Sequence, residues 1–99
     1  AIAGSGPGYV FEIARAYMEA AKELGFEESQ ARQLVLETIA GTVEMAAGST
    51  DDLVDMRNAV TSKAGTTEAG LKALNGTGDL SRLLIGATQA AYKRAIELR

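Results

Sequence analysis

The sequence contains neither cysteine nor histidine. Without thiols there is no disulfide framework and no thiolate metal site. Without imidazole, the usual acid–base group near neutral pH and the commonest metal ligand are both missing. Histidine-based triads and zinc sites are excluded, and no metal is expected. Any chemistry must use hydroxyls, backbone N–H groups, lysine or carboxylates. The chain also lacks a basic run, and its net charge is −3, which argues against nucleic acid or an anionic membrane as partner. No apolar stretch approaches the ~18 residues of a membrane span, and no signal peptide is visible. A cytoplasmic location is expected.

What is present is apolar and helical in period. The chain has 99 residues, 46% of them hydrophobic. That is one domain, read as a single unit over residues 1–99. A chain this short buries only about 65% of the surface its unfolded form exposes. Punctuation falls at GSGP (4–7), GF (25–26), GST (48–50), SKAG (62–65) and NGTGD (75–79), with helical periodicity between. The fold class is therefore all-α, a bundle of about five helices. The first is expected from about 7 to 24, with Pro7 at its first position and Gly25 as a left-handed cap. The second runs from about 28 to 47 and stops at Gly48. The third, near 51 to 59, would be capped by Ser49 or Thr50. The fourth runs from 66 or 67 to 75, and Asp79 caps a fifth that continues almost to Arg99.

These helices carry too much apolar surface for one copy of the chain. In the first, the polar residues Glu12, Arg15, Glu19, Lys22 and Glu23 make only a thin stripe. A helix on a monomer's surface normally shows the reverse, an apolar stripe on a polar rod. After Gln33 the second helix has only Glu37 and Glu44 as charges, and the fifth spreads apolar residues over more than half its circumference. Three nearly enclosed helices need cover from another copy or another domain. Gly41 and Gly86, each costing about 1 kcal/mol against alanine inside a helix, point to close helix–helix approach. Met18, Met45 and Met56 read as core filler, and Tyr9, Tyr17 and Tyr92 as packing residues with a polar tip.

The stretch TSKAGTTEAGLKAL (61–74) crowds four hydroxyl residues around the start of the fourth helix. From pattern alone, Thr66 or Thr67 is an ordinary N-cap, with Ser62 solvated. The alternative is an anion site. The first N–H groups of a helix lack intrahelical partners and carry the positive end of the dipole. Gly65 would let a ligand approach the backbone, and Ser62, Thr66 and Thr67 would add directed hydrogen bonds. GSGPGY (4–9) tempts toward a dinucleotide motif but has Tyr9 at the third glycine position and no strand before it. It reads better as a hinge.

Three segments together, GSGPGYVF at the start, VTSKAGTTEAGL at 60–71 and the alanine-rich last helix, resemble the C-terminal domain of pyrroline-5-carboxylate reductase over essentially the whole chain. The resemblance implies an enzyme that reduces 1-pyrroline-5-carboxylate to L-proline with NADPH or NADH. It implies an all-helical half intertwined with a second copy as a homodimer, and a separate Rossmann half that holds the cofactor. By resemblance, Ser62 and the backbone N–H groups of Gly65, Thr66 and Thr67 bind the substrate carboxylate, and the Thr67 hydroxyl, the catalytic candidate, faces the ring nitrogen. No cofactor-binding residue is expected here. The chain is expected to be the helical half of a longer protein, inactive alone in hydride transfer. Ala64 stands where the family has the first glycine of a pair, a position that alanine strains if it needs positive φ. The competing reading is a helical interaction module that assembles without binding a ligand.

Overall fold

The computed structural model describes residues 2–63 and 65–99, and the side chains from residue 4 onward. Ala64, and with it the question of strain at that position, lies outside the described residues. Five helices follow one another: α1 (Ile2–Glu23), α2 (Glu28–Ala47), α3 (Leu53–Ala59), α4 (Thr66–Asn75) and α5 (Asp79–Glu97). No strand occurs among the described residues. No helix is long and apolar enough to cross a membrane among them. The chain divides into two compact units, one of Ala3–Thr50 and one of Asp51–Arg99 with Ile2.

In the first unit, α1 ends as the glycine signal demands. Gly25 takes φ +105, its N–H donates to the Lys22 carbonyl (2.9 Å) and the Phe26 N–H to the Ala21 carbonyl (3.3 Å). This double closure satisfies carbonyls that the helix end would leave orphaned. α2 then starts with the Glu27 N–H donating to Gln30 Oε1 at 3.0 Å, one half of a capping box. The start of α1 corrects the sequence reading. The helix begins at Ile2 and Pro7 lies inside it, so GSGP is helical rather than a hinge. Proline's missing N–H removes a single helical bond, the one to the Ala3 carbonyl. So near the helix start, where most N–H groups lack partners anyway, the chain absorbs that loss.

The polar stripe of α1 is an ion-pair ladder. Arg15 binds Glu12 (2.7 Å) and Glu19 (2.8 Å) at helical spacing. The hydrogen bond from Arg15, then its charge, holds the Glu12 carboxyl below its ordinary range. On α2 the hydroxyls of Thr38 and Thr42 donate to the carbonyls four residues back, Leu34 (2.7 Å) and Thr38 (2.6 Å). They are thereby satisfied inside the helix and turn their methyl groups outward, so the helix is more apolar than its composition suggests.

Two starts in the second unit also differ from expectation. α3 begins at Leu53 with extended Asp52 at the cap position, rather than after Ser49 or Thr50. Asp79 is the first residue of α5, not its cap. Gly78 precedes it in the left-handed region at φ +80. The capping work passes to Asn75 at the end of α4. Its Oδ1 accepts the Ser81 backbone N–H (3.1 Å) and its Nδ2 donates to Ser81 Oγ (3.0 Å). Asp79 instead accepts from Thr77 Oγ1 (3.1 Å) and Arg82 (2.7 Å), while Arg82 also reaches the Thr77 carbonyl (3.2 Å). This corner locks α4 to α5, which pack against each other.

The core is almost missing. Among the described residues only Ala14, Ala21, Ala31 and Val35 are buried, all in α1 and α2. Ala14 and Ala21 lie seven apart and Ala31 and Val35 four apart, so each pair shares one helix face. No described residue of α3, α4 or α5 is buried. Met45, expected as core filler, is 61% exposed. A Cβ added at Gly41 or Gly86 would meet nothing within 4 Å, so the close approach expected there does not occur inside either unit.

Candidate functional site

The candidate loop joins α3 to α4. Its first residue is spoken for: the Thr61 hydroxyl donates to the Arg57 carbonyl at 2.6 Å and its N–H to the Asn58 carbonyl at 3.1 Å. Thr61 thus closes the end of α3. The next residue opens a tight turn, in which the Gly65 N–H donates to the Ser62 carbonyl at 3.1 Å. Gly65 then occupies the N-cap position of α4 in an extended conformation, φ −91 and ψ −176. Any residue adopts such angles, so positive φ is not what requires glycine here. The requirement is steric: a Cβ at Gly65 would collide with Ser62 Oγ. The Ser62 hydroxyl is laid directly over the start of α4.

The ordinary-cap reading of Thr66 and Thr67 fails on this geometry. The cap position belongs to Gly65, which has no side chain, and no side-chain cap bond forms. Thr66 and Thr67 are the first two helical residues, and the first intrahelical donor is the Ala69 N–H, 3.2 Å from the Gly65 carbonyl. Among the described residues, the N–H groups of Thr66, Thr67 and Glu68 have no protein partner. Ser62, Thr66 and Thr67 are all exposed. The structure therefore brings the predicted residues to one helix end, but the Gly65 N–H, expected to bind the acid, is taken by the Ser62 carbonyl, and the Glu68 N–H stands in its place. Three N–H groups and the hydroxyls of Ser62, Thr66 and Thr67 are available there, at the positive end of a ten-residue helix. Such an end suits a carboxylate or phosphate and offers no general base of the histidine type.

Beside this loop lies a feature that sequence reasoning missed. A concavity of about 580 Å³ is lined by Leu71, Leu74 and Leu80, with Arg57, Lys72 and Asn75 at its polar edge. It reaches Thr61 on one side of the loop and Glu68 on the other. The spacing of Leu71 and Leu74 hints at an apolar face on α4. The contribution of Leu80 depends on the α4–α5 corner and leaves no local trace.

A sequence profile described as pyrroline-5-carboxylate reductase dimerisation matches residues 1–98. The chain belongs to the pyrroline-5-carboxylate reductase dimerisation family. It is 37% identical over 99 residues to pyrroline-5-carboxylate reductase 2 of Bacillus subtilis, covering 100% of this chain and 35% of that protein. It is 38% identical over 98 residues to pyrroline-5-carboxylate reductase of Pseudomonas aeruginosa, covering 99% and 36%. A solved pyrroline-5-carboxylate reductase from Coxiella burnetii superposes with a TM-score of 0.89 at 42% identity, covering 95% of this chain and 34% of that one. The Plasmodium falciparum enzyme, solved with NADP bound, also gives 0.89, at 29% identity over 94% and 37%. The dimerisation domain thus spans about a third of the length of these relatives. Its GSGPGY segment lies within α1, so these glycines form no phosphate-cradling loop.

Proposed function

We propose that this chain is the helical half of a cytoplasmic NAD(P)H-dependent reductase that converts 1-pyrroline-5-carboxylate to L-proline. In this reading it pairs with a second copy in an intertwined homodimer and binds the substrate's carboxylate. The observation that carries the reading is the family match across residues 1–98, which takes in both motifs. The geometry at 62–67 supports the substrate role. Free N–H groups of α4 and the Ser62 hydroxyl receive the carboxylate, and the Thr67 hydroxyl orients the ring nitrogen. These residues act by positioning and by placing partial positive charge where the acid sits. Cofactor binding belongs to the remainder of the parent protein.

The test is titration of the chain with L-proline, read at backbone amides. The signals of Gly65, Thr66 and Thr67 shift together if the acid seats there. Unmoved signals at proline concentrations that saturate the parent enzyme would leave an assembly module without a ligand site. In the parent enzyme, Thr67→Ala lowers turnover by about 10- to 100-fold with the dimer intact, the range expected for losing one positioning group. Unchanged turnover would remove Thr67 from the site.

A further inference from the structure

We infer that Asn75–Gly76 is a site of covalent self-modification, where the asparagine deamidates when the α4–α5 corner opens and is spared while the corner is closed. The sequence has two asparagines, Asn58 before Ala59 and Asn75 before Gly76. Asparagine loses its side-chain amide through attack by the backbone nitrogen of the next residue. A following glycine, having no Cβ, hinders that attack least. The alanine after Asn58 does hinder it.

The corner itself requires the labile pair. Gly76 has ordinary helical angles, φ −60 and ψ −30, so its conformation does not call for glycine. A Cβ there would collide with the Lys72 carbonyl oxygen, a backbone atom that has no rotamer to move to. Asn75 answers a different need. Its amide accepts from the Ser81 N–H (3.1 Å) and donates to Ser81 Oγ (3.0 Å), a pairing that an ionised aspartate only half supplies. Two separate structural demands thus set Asn75 and Gly76 side by side, both exposed.

The same bonds hold the reaction off. Ring closure needs the Gly76 nitrogen to lose its proton and Asn75 Cγ to turn over it. Here the Gly76 N–H donates to the Lys72 carbonyl at 2.8 Å, Ser81 clasps both ends of the Asn75 amide, and Asn75 is the last residue of α4. Local opening of the corner frees these groups together. The Gly76 nitrogen then bonds to Cγ, the Cγ–Nδ2 bond breaks, and Nδ2 leaves as ammonia with the proton that Gly76 gives up. Water opens the resulting five-membered imide. Opening at Cγ leaves aspartate, which keeps an acceptor for the Ser81 N–H but loses the donor to Ser81 Oγ. Opening at the main-chain carbonyl leaves isoaspartate, with an extra carbon in the backbone and its acceptor displaced from Ser81. Water is the only co-reactant, and ammonia escapes, so the loosening is one-way.

The experiment incubates the full chain in warm, mildly alkaline buffer, folded and in guanidinium, and follows peptides cut after lysine and arginine. Peptide 73–82 reports Asn75 and peptide 58–63 reports Asn58. Mass detects the exchange of NH2 for OH, and chromatography separates aspartate from isoaspartate. In guanidinium Asn75 reacts well ahead of Asn58. Folding slows Asn75 by about 10-fold or more, as for a corner open about a tenth of the time or less. Ser81→Ala removes the acceptor of Asn75 Nδ2 and leaves the backbone N–H in place. It speeds the folded reaction by about 2- to 10-fold, the range for one ordinary hydrogen bond, and leaves the rate in guanidinium unchanged. The folded-to-denatured ratio of the unaltered chain tests the guard without any variant. Equal rates folded and denatured overturn the inference, as does an Asn58 that reacts as fast as Asn75 in guanidinium. A folded Ser81→Ala chain that reacts no faster than the original removes the Ser81 clasp as the guard, and the inference with it.

Discussion

Leu83→Ala probes the exposed helix faces with little change in helix preference. Leu83 lies on the apolar arc of α5 with Leu80, Ala87 and Ala90, and is 72% exposed in the single chain. Leucine and alanine are both good helix formers, and an exposed substitution of this kind changes the stability of a self-sufficient monomer by about 0.5 kcal/mol or less. In an assembly that covers the side chain the sum is different. Three carbons are removed at about 0.8 kcal/mol each, and the exposed 72% scales this to about 1.7 kcal/mol per copy. A two-fold interface counts each residue twice, giving about 3.5 kcal/mol, or about 300-fold in the dimer dissociation constant. Sedimentation equilibrium at several concentrations measures it. A dissociation constant within threefold of the original would refute the reasoning that this face is covered.

Three other substitutions test local geometry. Gly65→Ala places a Cβ against Ser62 Oγ and drives the serine from its position, costing about 1 kcal/mol; thermal unfolding should show the loss, and the proline-induced amide shifts should vanish. Asn75→Ala removes the acceptor for the Ser81 N–H and destabilises the chain by about 1 kcal/mol in denaturant titration, whereas Asn75→Asp, which keeps that acceptor, should retain most of the stability. Arg15→Ala returns the Glu12 carboxyl to its ordinary value of 4.5 from the lower one Arg15 imposes, as followed by carboxyl NMR. Because the folded value is the depressed one, the pair's support for α1 is complete above the ordinary value and disappears as pH falls through the lowered midpoint.

Much of the fold is legible in the residues because its signals are local. Gly25 takes the left-handed cap that its place after an apolar run predicts, and the bounds of α2 and α4 follow from Gly48 and from the turn before Thr66. The misplaced starts have a common cause. Pro7 and Asp79 each occupy a position where a helix commonly begins, but a partner elsewhere decides: α1 runs on upstream of its proline, and α5 is capped by Asn75, six residues before Ser81. The site divides the same way. The hydroxyl cluster is visible as composition, whereas the reason for Gly65, a serine folded across its Cα, requires the turn to be built. The concavity beside it requires the corner between α4 and α5. The apolar excess was readable from α1, α2 and α5. Even so, that no described residue of α3, α4 or α5 is buried is apparent only in three dimensions.

The central claim is that a second copy of the chain covers the apolar faces of these helices. The mass of the folded chain in solution at micromolar concentration, measured together with its helix content, tests it most directly. The account predicts twice the 10.3 kDa of one chain, with helicity falling as the dimer is diluted apart. A single-chain mass with full and concentration-independent helicity would contradict it.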